Sequence, residues 1–290
     1  MSAAEAIGRP VKRLAQVLRT SAWLGWQVEA NWADPWIFLM YAIAKPLATT
    51  LILFFMVRVV SQGGATAETF RYIFIGNTFF LYVSEVLIGI SWTVFRDRED
   101  YETLKYIYVA PIHLLPYLLG RAFTRVATST LGVLVALLFG RFVLGLTLGV
   151  PETNWLLLLC AVVLGLVGVL WLGIILAGVS LVVARHSMNL NEGLSGLFYL
   201  LCGAIFPLDV LPRWALHLSL WLPFTYWLEL LRRMLTGRGF AASLARWSDG
   251  DLWWILALAT VGLCALALVW FRWCERVARE RGLIDWKTNY

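Results

Sequence analysis

Few residues in this chain have the type and spacing that chemistry requires. His113, His186 and His217 stand apart, with no HExxH or comparable ligand spacing. Cys160, Cys202, Cys264 and Cys274 lie in or beside apolar runs, and no two form a CxxC pair, so neither disulfide nor metal chemistry is indicated. No GxxxxGK[ST] occurs, so nothing in the sequence cradles a triphosphate. Leu194-Ser195-Gly196-Leu197 loosely matches an ATPase signature loop. It opens an apolar run and lacks the second glycine, so it reads as a chance match. Without a nucleophile beside a base, an intramembrane enzyme is disfavoured.

What remains is charge placed where charge is costly. The chain is 60% hydrophobic and 14% charged, yet seven of the ten residues from Arg96 to Lys105 are charged. Arg96, Asp97, Arg98, Glu99, Asp100, Glu102 and Lys105 give way to Leu104, Ile107, Tyr108 and then Pro111. Acidic residues near the start suit a helix N-terminus and the proline suits its end. The spacing predicts a short amphipathic helix at about 97–110, outside any membrane, either a solvated loop or a docking surface. Lys45 and Glu85 are the charges deepest in apolar runs. Such groups pair or face a cavity. Their depths allow them to meet, or each faces a polar cavity or another neighbour. Pro46 predicts a kink beside Lys45. A third group, Asp209, Glu229, Arg232 and Arg233, falls among Pro207, Pro212 and Pro223. It reads either as contact with an anionic substrate or lipid headgroup, or, preferred, as surface snorkelling with Glu229 paired to Arg232 or Arg233.

The elements that must position these residues are long apolar segments. Six reach or approach the ~20 residues of a membrane-spanning helix, at about 36–57, 72–95, within 117–148, 155–184, 194–206 and 252–271. The runs are continuous rather than alternating, so the expectation is an all-α polytopic membrane protein with six transmembrane helices. Residues 11–30 place Val11, Leu14, Ala15, Leu18, Ala22 and Trp26 on one face and Lys12, Arg13, Gln16 and Arg19 on the other, the pattern of an interfacial helix. Residues 207–238, cut by three prolines, predict an outer re-entrant hairpin before the last span. Ala161 and Gly165 offer a close-packing site, whereas Gly145 and Gly149 fit a turn. The organisation expected is a tail and interfacial helix over 1–35, a transmembrane domain over 36–271 and a tail over 272–290. No cleavable signal peptide is visible. Lys and Arg favour the segments that flank 96–111 and both termini, which places these in the cytoplasm. The net charge of +6 reflects membrane flanks and not nucleic-acid binding.

Two stretches together resemble the permeases of type-2 ABC exporters. Arg98-Glu99-Asp100-Tyr101-Glu102-Thr103-Leu104 with Ala110-Pro111 is similar to the element after the family's second span. Phe206-Pro207-Leu208-Asp209-Val210-Leu211-Pro212, Leu222-Pro223-Phe224-Thr225-Tyr226 and Leu230-Leu231-Arg232 through Gly237 resemble its region before the last span. Tyr101 stands where the family has glycine and Leu222 where it has asparagine, which leaves Thr225 as the candidate cap of the next half-helix. The resemblance implies a permease subunit, paired with a second copy as homodimer or related heterodimer and driven by a separate ABC ATPase. Residues 97–110 would be the coupling helix, with Arg98, Glu99, Asp100 and Glu102 giving specificity and Leu104, Ile107 and Tyr108 a buried contact. No cofactor is expected in this chain, since ATP and magnesium would sit on the partner. An amphipathic drug, lipid or lipid-linked glycan would leave a prokaryotic plasma membrane. The alternative is an ion-coupled secondary transporter or channel that uses Glu85.

Overall fold

The computed structural model describes residues 3–30, 34–60, 67–110, 112–149, 153–183 and 187–284. All regular structure among them is helical. Pro111 and the chain beyond Ile284 lie outside these residues. α1 (Ala3–Ala30) precedes α2 (Pro35–Val60); α3 (Ala67–Tyr82) runs through a π-turn (Val83–Leu87) into α4 (Ile88–Glu99). A short α5 (Leu104–Val109) leads to α6 (Leu114–Phe142) and α7 (Trp155–Val182). Then come α8 (Ser187–Leu201), α9 (Arg213–Trp221), α10 (Pro223–Thr236) and the long α11 (Asp249–Glu280).

Five helices among the described residues are long and apolar enough to cross a membrane: Trp36–Val59, Glu68–Glu99, Leu114–Phe142, Trp155–Val182 and Asp249–Glu280. The segment expected as the fifth of six spans is shorter than the others. α8 has 15 residues, about 22 Å at the helical rise, against a hydrocarbon layer of ~30 Å. It stops at Leu201 because Gly203 turns into the left-handed region (φ +70°), a standard helix terminator.

The ends of the long helices follow their sequences. Asn154 caps α7, its side chain accepting from Leu156 N and Leu157 N at 3.1 and 3.2 Å. Ser248 and Asp251 form a reciprocal capping box at the start of α11. Each of the three hairpin prolines opens a helix. Pro207 precedes a 3-10 turn over Leu208–Val210, Pro212 precedes α9, and Pro223 is the first residue of α10. Proline is tolerated there because its missing N–H would have no partner anyway.

The α3–π–α4 helix is the axis of the bundle. Within its apolar stretch 72% is buried, against 17% in α2. α6 runs antiparallel beside it: Tyr82 Oη donates to Thr130 Oγ1 at 3.2 Å, and Tyr117 Oη to Asp97 at 2.8 Å. α1 lies along α6 at close range. Thr124 Oγ1 donates to Ala22 O at 3.0 Å, and a Cβ on Gly25 would stand 2.6 Å from that hydroxyl. α7 and α11 pack together and clasp α10 with α3.

Candidate functional site

The charged island is not one amphipathic helix. Residues 96–99 finish α4, the chain breaks at Asp100, and only Leu104–Val109 form α5. The break is enforced at Glu102, whose φ of +52° lies in the left-handed region. A helix cannot pass through such a residue.

This division sends the charges to different places. Arg98 and Glu99 are buried, bonded to one another at 3.1 Å with side chains 1% exposed each. Arg98 also donates to Ser180 O at the end of α7 (3.0 Å). They tie the helix ends together instead of facing outward. Asp97 is buried too and accepts the Tyr117 hydroxyl. Asp100 is exposed and lies 3.7 Å from Arg96, which also donates to Tyr101 Oη at 2.7 Å. Glu102 pairs with Lys105 across one turn at 3.4 Å.

The apolar residues of α5 are divided as well. Leu104 and Ile107 turn inward and are buried in the core of the chain itself. Tyr108 is half-buried under the Arg279 guanidinium of α11, 4.7 Å from its ring. Burial pushes its phenol above the ordinary range, and the Glu275 carboxylate adds to the rise. Tyr106 and Val109, which sequence reasoning passed over, are 66% and 85% exposed. Their i, i+3 spacing was the available signal. In the sequence the more apolar face reads as the docking face, but in a bundle that face goes to the core. α5 therefore offers Tyr106 and Val109 outward while its inner side meets the end of α4 and, at Tyr108, α11.

Lys45 and Glu85 meet. Lys45 Nζ donates to Glu85 Oε1, with side chains 48% and 28% exposed. Glu85 lies within the π-turn, and Lys45 directly precedes Pro46. The pair therefore joins a π-turn, a feature often found at functional positions, to the residue before a proline inside a helix. One turn along α4, Arg125 of α6 packs over Gly89, where a Cβ would be 2.7 Å from Arg125 Cδ. Arg125 pairs with Glu29 of α1. Burial raises the Glu29 carboxyl above the usual range, against the pull of Arg125. Further along, Asp97, Tyr117 and Arg121 form the next polar step, with Arg121 Nη1 donating to Tyr117 Oη at 3.4 Å. Charged and polar rungs thus descend one side of α4 from the π-turn to the α5 segment.

At the opposite end, Arg232 is 1% exposed. It donates to Tyr72 O at 3.3 Å and Gly203 O at 2.6 Å, with its guanidinium 3.7 Å from the Tyr72 ring centroid. Glu229 is buried and pairs with Arg233 at 3.3 Å, while its Oε1 also accepts Phe240 N at 3.0 Å. Asp209 accepts Ala242 N and Ser243 N at 2.8 and 3.0 Å and so caps a 3-10 turn. Of the two local pairings expected for Glu229, that with Arg233 forms, and Arg232 turns away into backbone carbonyls. Arg232 and Glu229 are core, not surface, groups. Thr225 does not cap α10. Its hydroxyl donates to Ser219 O at 2.7 Å, because a buried hydroxyl needs an acceptor and the end of α9 supplies one.

Residues 18–236 match the profile of the ABC-2 type transporter family. The match covers most of the chain and takes in the α5 segment, the Lys45–Glu85 pair and the hairpin.

The chain belongs to the ABC-2 type transporter family. It is a multi-pass membrane protein and a permease subunit of an ABC transporter, the membrane part and not the nucleotide-binding part. No curated protein sequence matches the chain. In this ABC-2 permease, the residues that carry the resemblance follow the second long helix and precede the last one. Side-chain directions there come from packing.

Proposed function

We propose that this ABC-2 permease is half of an ATP-driven exporter and that a partner ATPase subunit engages it at the α5 segment. The observation that carries this reading is the outward placement of Tyr106 and Val109 on a six-residue helix that packs against the end of α4 and, through Tyr108, against Arg279 of α11. A push on that helix reaches α4 directly and α11 through Tyr108, and α4 passes it to α7 through Arg98 and Ser180 and to α6 through Asp97 and Tyr117. Lys105 lies over the Tyr106 ring at 5.6 Å, and Arg96, Asp100 and Glu102 nearby in the chain would supply the charge of a polar rim.

In this reading both termini and α5 are cytoplasmic, the hairpin is external, and α1 lies in the inner interface of a prokaryotic plasma membrane. ATP and magnesium bind the partner. Two permease copies, identical or related, enclose the route of an amphipathic cargo, drawn from drugs, lipids and lipid-linked glycans. The Lys45 partner neutralises Glu85, which weighs against an ion-coupled transporter built on that carboxylate.

The test is co-purification with a candidate ABC ATPase subunit, followed by ATP-dependent transport in proteoliposomes. The double change Tyr106→Ala and Val109→Ala should reduce ATPase retention at least about tenfold, the loss of roughly 1.4 kcal/mol or more from a buried apolar contact. Thermal stability of the permease alone should be unchanged. Retention at the unmodified level would remove α5 from the docking site. Transport that follows an ion gradient without ATP would reject the exporter reading.

A further inference from the structure

Resting on the permease reading, we propose that the Lys45–Glu85 pair is a binding site for the anionic headgroup of an amphiphilic cargo. Both residues lie near the midpoints of their apolar helices, Trp36–Val59 and Glu68–Glu99. Charge at that depth is costly against hydrocarbon, by ~2.5–3.5 kcal/mol on insertion scales. Yet Lys45 is 48% exposed on the side chain and Glu85 28%. The face that carries them must therefore meet water, protein or a polar ligand, not lipid tails.

The pair is unevenly presented, and this sets the ligand's sign. Lys45 has three N–H donors, of which Glu85 accepts one. The carboxylate is the better covered partner, so the surface on view is cationic. The same order recurs one rung away, where Arg125 is 19% exposed and Glu29 11%. Tyr41, one turn from Lys45 on α2 and 64% exposed, adds a phenol on the same side. On this side α2 is apolar and exposed at Ile52 and Phe55. A cation on an otherwise apolar stripe complements an anionic head with a hydrocarbon tail. The ligand's oxygens take the open Lys45 donors while Glu85 holds the ammonium in place, and no covalent step is involved.

The experiment uses the permease with its ATPase in phosphatidylcholine nanodiscs and scores saturable binding above that of empty discs. The probes are dodecyl phosphate, dodecyltrimethylammonium, dodecyl maltoside and inorganic phosphate. Dodecyl phosphate should bind best, and inorganic phosphate weakly, since the site uses both head and tail. Lys45→Gln should weaken dodecyl phosphate about tenfold, the worth of a charge-assisted hydrogen bond, and leave dodecyl maltoside unchanged. The exchanged variant, Lys45→Glu with Glu85→Lys, separates a ligand site from a structural tie. It should keep the wild-type melting temperature but prefer dodecyltrimethylammonium. If the exchanged variant binds dodecyl phosphate like the wild type, the proposal is wrong. It is equally overturned if Lys45→Gln has no effect, or if no probe saturates because a second copy covers the pair. Inorganic phosphate bound as tightly as dodecyl phosphate would also overturn the amphiphile. ATPase co-purification, scored in the same preparations, reports separately on the permease reading.

Discussion

Two glycines show how tightly single residues bind this bundle. A Cβ on Gly76 would stand 2.0 Å from Arg232 Nη2 and 2.3 Å from Ala204 O. One of these atoms is backbone and the other is an anchored guanidinium, so neither gives way easily. Gly76→Ala is expected to destabilise the permease by ~1–3 kcal/mol, the usual range for overpacking, read as a lower melting temperature in detergent. Gly165 seats the Trp227 indole, with Cε2 2.1 Å from a Cβ placed there, and Ala161 O accepts Trp227 Nε1 at 2.9 Å. The Ala161 and Gly165 spacing was legible in the sequence as a packing site. That its occupant is an aromatic side chain of the hairpin was not, because spacing along one helix carries no information about what crosses it.

At the scale of elements, the two faces of α5 separate folding from docking. Leu104 is 1% exposed and belongs to the core. Leu104→Ala is therefore expected to cost ~2–5 kcal/mol of stability, measured by thermal unfolding of the permease alone, whereas the Tyr106 and Val109 changes act on the complex. Glu99→Lys would place a second cation beside the buried Arg98. It should lower expression and stability rather than merely weaken the ATPase contact, as measured by size-exclusion yield. Glu102→Lys, on a half-exposed side chain, should leave the yield unaltered. The charged island was visible at once in the sequence. Its division was not, since the break depends on a left-handed Glu102 and on which neighbours, Ser180 and Tyr117, bring acceptors and donors to Arg98 and Asp97.

For the whole molecule, the arrangement predicts a sidedness. A single cysteine introduced at Lys105 in a chain free of other cysteines should react with a membrane-impermeant maleimide in inside-out vesicles and not in intact spheroplasts. One introduced at the exposed Ala245, beside the hairpin, should do the reverse. The same side for both positions would overturn the orientation. Five of the expected spans follow the expected segments closely, because ~20 apolar residues in lipid have little choice but helix. The fifth expected span, 194–206, could not be delimited by hydropathy. Its end is set by Gly203, whose carbonyl is held by Arg232 from 29 residues further on.

The sequence by itself determined that this chain is a helical membrane protein, which family it resembles, and which charges are out of place. These follow from composition and local order, since hydrophobic length and proline position act on the segment that contains them. Only the tertiary structure decided how those charges are used. It joined Lys45 to Glu85 across 40 residues, buried Arg98 with Glu99, and turned Arg232 into carbonyls of Tyr72 and Gly203. The physical reason is that a buried charge takes whatever partner the packing brings within reach, adjacent as Glu99 is to Arg98 or 40 residues away as Glu85 is from Lys45, and local sequence does not say which.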